Sequence, residues 1–114
     1  MMRYHKQTRI LVALDCIIFG FDGSDLKLLL VQRGLEYEKG KWSLMGGFVQ
    51  KDEDFEKGSA RILKELTGLE GVYMEQLFAF GDVNRDPIER TVSIAYFALI
   101  DIHQYENQLN ALPV

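Results

Sequence analysis

Acidic side chains crowd one short stretch of this chain: Asp52, Glu53, Asp54 and Glu56 stand almost together, and Arg61 and Glu65 follow. Carboxylates so placed could hold a cation as a loop cluster, or could form a solvated loop that caps a helix. Glu65 follows Arg61 at the spacing of an ordinary helical ion pair. One carboxylate beside an arginine is a poor metal site, because hard cations such as Mg²⁺ need several oxygen ligands. Arg33, Arg85 and Arg90 present planar forks suited to phosphate or carboxylate. Arg85 and Arg90 share a loop with Asp86, so ligand contact and a surface ion pair are both open readings. Trp42 and Phe48 could stack a base or sugar ring, or pack in the core. Between them, Gly46 and Gly47 let the backbone approach a ligand or a neighbouring strand closely. Ser93 and Cys16 have no histidine arranged as a nucleophile requires, and His5 and His103 lie far apart without metal-ligand neighbours.

These groups need elements to position them. Phe55, Ser59, Ile62, Leu63 and Leu66 recur at helical spacing, which predicts a helix from Asp54 to Thr67. Asp54 is its N-cap, because the carboxylate accepts orphan backbone N–H groups. Gly68 supplies the left-handed residue that ends it. The run Arg9 to Phe19 is rich in β-branched and aliphatic residues and reads as a strand buried on both faces, although periodicity alone also admits a buried helix. Gly20 to Asp25 is a turn by composition, and Leu26 to Arg33 a second strand, so the two form a hairpin. Glu36 to Lys41 is a charged loop. Val72 to Gly81 and Arg90 to Ile102 read as two further strands, joined by a polar loop with a proline turn at Pro87. Met1 to Gln7 is a polar lead-in.

The chain has 114 residues, enough for one domain with a real if modest core. An apolar fraction of 47% and an aromatic fraction of 11% belong to a globular protein. The net charge of −4 argues against this chain alone gripping a phosphate backbone, which demands clustered Lys and Arg. A single cysteine, Cys16, excludes an internal disulfide and fits a reducing, cytoplasmic setting. Asp15 interrupts the first apolar run, so neither a signal peptide nor a spanning helix is expected there.

The stretch Gly47 to Leu69 resembles the Nudix box, G-x5-E-x7-R-E-U-x-E-E-x-G-U with U aliphatic. Gly47, Glu53, Arg61, Leu63, Glu65, Gly68 and Leu69 match it. Ile62 stands where the pattern has the glutamate after the arginine, and Leu66 where it has the second of the paired glutamates. The resemblance implies that glutamates at 62, 65 and 66 would hold divalent cations, and that Glu53 faces the pocket. An alkyl chain and a leucine offer a cation no oxygen. Trp42-Ser43-Leu44-Met45-Gly46-Gly47-Phe48-Val49 is similar to the family's W-x-L-P-G-G-x-V lead into the box, with Met45 in place of proline. The segment from Phe80 to Tyr96 resembles a branch of the superfamily that handles ADP-ribose and related ligands. That branch includes bacterial Nudix-related transcription regulators, in which a Nudix-like domain senses a small molecule and a winged helix binds DNA. The resemblance runs from about Arg9 to Ile102, and implies an α/β (α+β) Nudix fold: a mixed, twisted β-sheet sandwiched with helices. Residues 1–114 are expected to form one such domain with a core over about 8–102. The family's later helix and strand, and any winged helix, are not found in the residues that follow.

Three functions follow as expectations. The first is a small-molecule sensing domain of a transcription regulator, taking a sugar or an ADP-ribose-like nucleotide and having no hydrolase activity. Its implied ligand-binding residues are Arg33, Trp42, Gly46, Gly47, Phe48, Arg85 and Arg90; it needs no cofactor, forms a homodimer, meets no membrane and binds no DNA by this chain alone. The second is a Mg²⁺-dependent hydrolase of nucleoside diphosphates linked to another moiety, with Glu53, Arg61 and Glu65 as remnant catalytic residues. Only Glu65 and Glu53 remain there as metal ligands, with Asp52, Asp82 and Asp86 as the nearby stock of carboxylates. The third is a remnant with no ligand, whose exposed sheet edges would make the monomer melt poorly or aggregate.

Overall fold

The computed structural model describes residues 4–32 and 42–105, and within these the side chains of residues 31, 32, 42 and 43 are left aside. The element order is β1 (Leu11–Phe21), β2 (Leu26–Leu28), β3 (Val31–Gln32), β4 (Trp42–Ser43), β5 (Met45–Phe48), α1 (Phe55–Thr67), β6 (Glu75–Phe80) and β7 (Thr91–Asp101), with a 3₁₀ turn at Ile102–Tyr105. Two strands form the centre. β1 and β7 run parallel in register over their whole lengths, from Leu11 opposite Thr91 to Phe21 opposite Asp101. β6 pairs antiparallel with the far edge of β7. The result is a mixed sheet with one helix packed on it, as expected.

The other edge of β1 is shared. β2 takes its C-terminal end, with Phe19 opposite Leu28, and β5 takes Ala13 to Cys16, with Cys16 opposite Met45. This division explains why the expected strand Leu26 to Arg33 is broken. One more bond runs from the Leu29 N–H to the Ile18 carbonyl, 2.9 Å. Beyond it β5 occupies the edge, and β3 pairs with β4 instead. The expected loop Glu36 to Lys41 lies outside the described residues, as does Arg33.

Burial along β1 alternates rather than covering both faces. Leu14, Cys16 and Ile18 are fully buried, while Ala13, Asp15, Ile17 and Phe19 are half-buried. The buried set joins Met45, Ile94, Tyr96, Ala98 and Ile100 in one layer, against which α1 sets Ile62 and Leu63, with Leu69 beyond its end. Each such side chain removed from water contributes about 1.5–3 kcal/mol before the entropy of ordering is counted. Burial pushes the Cys16 thiol up to about 11, helped by the neighbouring Asp15 charge, so it behaves as a small core residue. The opposite face of the sheet has no helix on it among the described residues. No helix among them is long and apolar enough to cross a membrane.

Candidate functional site

The helix begins and ends as its sequence requires. Asp54 is extended, at φ −81° and ψ 174°, and accepts from the Lys57 N–H at 3.0 Å. Gly68 closes the helix at φ 79°, its N–H donating to the Lys64 carbonyl at 2.7 Å. This fixed helix places Arg61 at the hub of the acidic loop. Its Nε donates to Glu53 Oε2 at 2.9 Å, its Nη2 to Glu53 Oε1 at 2.7 Å and to the Phe48 carbonyl at 2.8 Å, and its Nη1 to Glu65 Oε2 at 3.2 Å. The Gln50 N–H also donates to Glu53 Oε1, at 2.8 Å. The Arg61 guanidinium, then the Gln50 N–H, hold the Glu53 carboxyl below the usual carboxylate range.

Glu65 was the pairing expected for Arg61, but the two-pronged bond to Glu53 is the principal one. Both Glu53 oxygens are therefore engaged by the guanidinium. Ile62 is only 2% exposed, while Leu66 is 42% exposed. Among the described residues no three His, Cys, Asp or Glu side chains come close enough to hold a metal ion. A divalent cation such as Mg²⁺ does not fit this donor set: one carboxylate is bound to arginine, a second is held by the same arginine at the surface, and the other two positions are alkyl.

The second cluster lies on the open face. The register sets Phe48, Ala13, Ser93 and Phe80 side by side on four adjacent strands. Strands stand about 4.8 Å apart, so the two phenylalanines flank a trough roughly 14 Å wide, floored by small residues. The next row is Gly46, Asp15, Ala95 and Phe78. A bulge in β6 between Gln76 and Phe78 puts both Phe78 and Phe80 on this face, with ring centroids 5.0 Å apart. Arg85 comes over from the loop between β6 and β7. Its Nη2 sits 3.3 Å from Asp15 Oδ2, and its guanidinium carbon 5.8 Å from the centre of the Phe80 ring. Asp15 Oδ1 fills the space a side chain at Gly46 would need, since a Cβ there would lie 2.6 Å from it. Partial burial raises the Asp15 carboxyl above its ordinary value, and Arg85 opposes that rise.

The structure thus brings Gly46, Phe48 and Arg85 to one face. Gly47 points the other way, against Ile62. Arg90 bonds the Asp82 carbonyl at 3.0 Å and shapes the loop that carries Arg85. Trp42 lies in β4, which is described here as backbone alone. Asp86 is not the partner of Arg85: its carboxylate accepts from the Ile88 and Glu89 N–H groups. Sequence reasoning missed Asp15 and Phe80. The signal for Asp15 was a lone acid inside an apolar strand, a position that demands a partner; for Phe80 there was none before the bulge was known. The two clusters meet at Phe48, whose ring walls the trough and whose carbonyl holds Arg61.

Comparisons with known proteins agree with this architecture. The chain is 38% identical over 101 residues to the ADPR responsive transcriptional repressor NtrR of Acinetobacter baylyi, matching 87% of this chain and 40% of that protein. It is 34% identical over 94 residues to the ADP-ribose pyrophosphatase of Methanocaldococcus jannaschii, matching 82% of this chain and 53% of that one. The chain therefore spans about half or less of the length of these relatives. The structure of the NUDIX domain of Shewanella oneidensis NrtR complexed with ADP ribose superposes with a TM-score of 0.78 at 33% identity, covering 88% of this chain and 66% of that one. A family profile described as NUDIX domain matches residues 9–112, and the chain belongs to the Nudix family.

Proposed function

We propose that this chain is the effector-binding Nudix domain of an ADP-ribose-responsive transcription regulator, and that it holds its ligand without hydrolysing it. The observation that carries the reading is the Arg61–Glu53 bond together with the buried Ile62: the box helix has become a packing and hydrogen-bonding element. The trough supplies what an ADP-ribose-like ligand needs. Phe48 and Phe80 offer ring faces for a base or sugar, and Arg85 offers a cationic fork for a phosphate once it leaves Asp15. Arg33, Trp42 and Arg90 complete the proposed set of contacts, with Gly46 and Gly47 as close-packed backbone of β5. The working regulator is a cytoplasmic homodimer, and DNA contact belongs to residues other than these.

The test is calorimetric titration with ADP-ribose, AMP and ribose, with chelator and with Mg²⁺. Binding is expected in chelator, with no turnover above background. Arg85→Ala removes a charge-assisted hydrogen bond of about 1.5–3 kcal/mol, so affinity falls about tenfold to a hundredfold. Hydrolysis that persists over many turnovers and stops with chelator would overturn the reading. The competing reading, a Mg²⁺-dependent ADP-ribose hydrolase, is favoured by the resemblance to the Methanocaldococcus pyrophosphatase. It requires carboxylates to be recruited from elsewhere, and Asp86 is already committed to its own loop.

A further inference from the structure

On the helix side of the sheet, away from the trough, a cleft of about 210 Å³ opens between the first turns of α1 and the segment leading into β6. Its lining includes Glu56, Ser59, Tyr73, Met74 and Tyr96. It is smaller than the roughly 300–1,000 Å³ of sites for drug-sized molecules, so its occupant is small. Tyr96 is only 6% exposed, yet its hydroxyl makes no hydrogen bond among the described residues. A buried phenol normally has a partner for its O–H, so the open end of this one marks a place for a ligand or solvent.

The chemistry of the walls selects the charge of that ligand. No lysine or arginine lines the cleft. Glu56 forms no ion pair among the described residues. Burial first, then the Glu56 and Asp54 charges, push the Tyr96 hydroxyl up, so the carboxylates make the cleft electronegative where the phenol ends. The Tyr73 hydroxyl donates to Glu75 Oε1 at 3.1 Å, which enriches its ring in electron density. Met74 adds a polarisable thioether. An anion at the start of α1 is disfavoured, because Asp54 already caps the Lys57 N–H and Glu56 repels negative charge.

We infer that this cleft is a second binding site, distinct from the trough, for a small organic cation of the quaternary ammonium class. The Tyr73 and Tyr96 rings and the Met74 thioether take the alkylated nitrogen, and the Glu56 carboxylate balances its charge. The inference is independent of what occupies the trough.

The probe pair is choline and its neutral isostere 3,3-dimethylbutan-1-ol, titrated into the ¹⁵N-labelled chain, with sodium chloride holding ionic strength constant for both. Amide shifts at Ser59, Met74 and Tyr96 are expected to saturate with choline, at an affinity at least tenfold above that of the alcohol. Glu56→Gln lies on an exposed helix surface and Tyr73→Leu at an exposed ring, so both variants keep the fold; each is expected to weaken choline at least threefold. Arg85→Ala, in the trough, is expected to leave choline binding unchanged. The inference is overturned if choline shifts none of these amides, if the alcohol binds equally well, or if Glu56→Gln leaves choline affinity untouched.

Discussion

Ile62→Glu and Leu66→Glu would restore the box's missing carboxylates, and the structure separates their effects. Ile62 packs under β5: a Cβ added at Gly47 would sit 3.0 Å from its Cγ1. A glutamate at 62 removes a buried branched chain, worth about 1.5–3 kcal/mol. It also leaves a carboxyl group without a partner in the core, at a further 1–3 kcal/mol or about that. The sum, about 2.5–6 kcal/mol, is a large part of the 5–15 kcal/mol or so that holds a domain folded. Leu66 is partly solvated, so Leu66→Glu is expected to cost no more than about 1 kcal/mol. Ile62 is therefore a buried packing residue of the helix, whereas Leu66 is only partly covered.

Urea unfolding followed by circular dichroism, in chelator, measures both. With an m-value of about 2 kcal/mol per molar urea, a loss of about 4 kcal/mol moves the midpoint down by about 2 M. The pH dependence supplies a second check. Burial raises the new carboxyl's folded-state pKa above its unfolded value, so the folded variant binds more protons between the two values and loses stability as pH rises through them. The deficit of Ile62→Glu is accordingly expected to be smaller near about pH 5 than near about pH 8. The double variant is expected to recover part of its loss with Mg²⁺, through binding to the folded state. Parent-like stability of Ile62→Glu at the higher pH, or equal damage from Leu66→Glu, would refute the packing argument.

Asp54→Ala is expected to lower stability by about 1 kcal/mol with fraying of the first helical turn, whereas Asp54→Asn, an equally good cap, is expected to lose little; thermal unfolding of the three proteins checks this. Acid should weaken the fold through Asp22 and Glu53. The Asp25 and Ser24 N–H groups lower the Asp22 carboxyl to about 2, and Arg61 lowers that of Glu53. Both contribute stability that is complete above their unfolded values; that of Asp22 is lost as pH falls towards about 2 and that of Glu53 as pH falls through its lowered value, so a parent whose melting temperature stays flat from about pH 5 downward would contradict it.

What could be read from the sequence was local in origin. Asp54, Gly68 and the apolar spacing between them act on the residues beside them, so the helix and both its caps were legible before any tertiary contact was known. The two long strands were read from their β-branched content, although for the first of them a buried helix stayed open. What the sequence left open was set by competition between distant segments. The break after Leu28 exists because β5 claims the rest of the β1 edge, and no property of residues 26–33 reports that. Arg85 illustrates the same limit. Asp86 beside it in the chain was the obvious partner, but the loop uses that carboxylate for its own N–H groups, and the guanidinium crosses to Asp15, 70 positions away.

The packing of the box helix and the proposed ligand trough are connected through one short strand. β5 presents Gly47 to Ile62 on one side, and Gly46 and Phe48 to the trough on the other. Arg61 fixes the same strand from the helix through the Phe48 carbonyl. A change at Ile62 or Arg61 therefore moves the wall and the floor of the trough without touching a ligand there. The separation of roles also has a consequence for how chemistry could return. A carboxylate at 62 must displace the side chain that packs against β5 at Gly47, and Glu53 must leave Arg61, whose Nη2 also holds the Phe48 carbonyl. Restoring a metal site would thus disturb the trough, because both draw on the same few ångströms of strand.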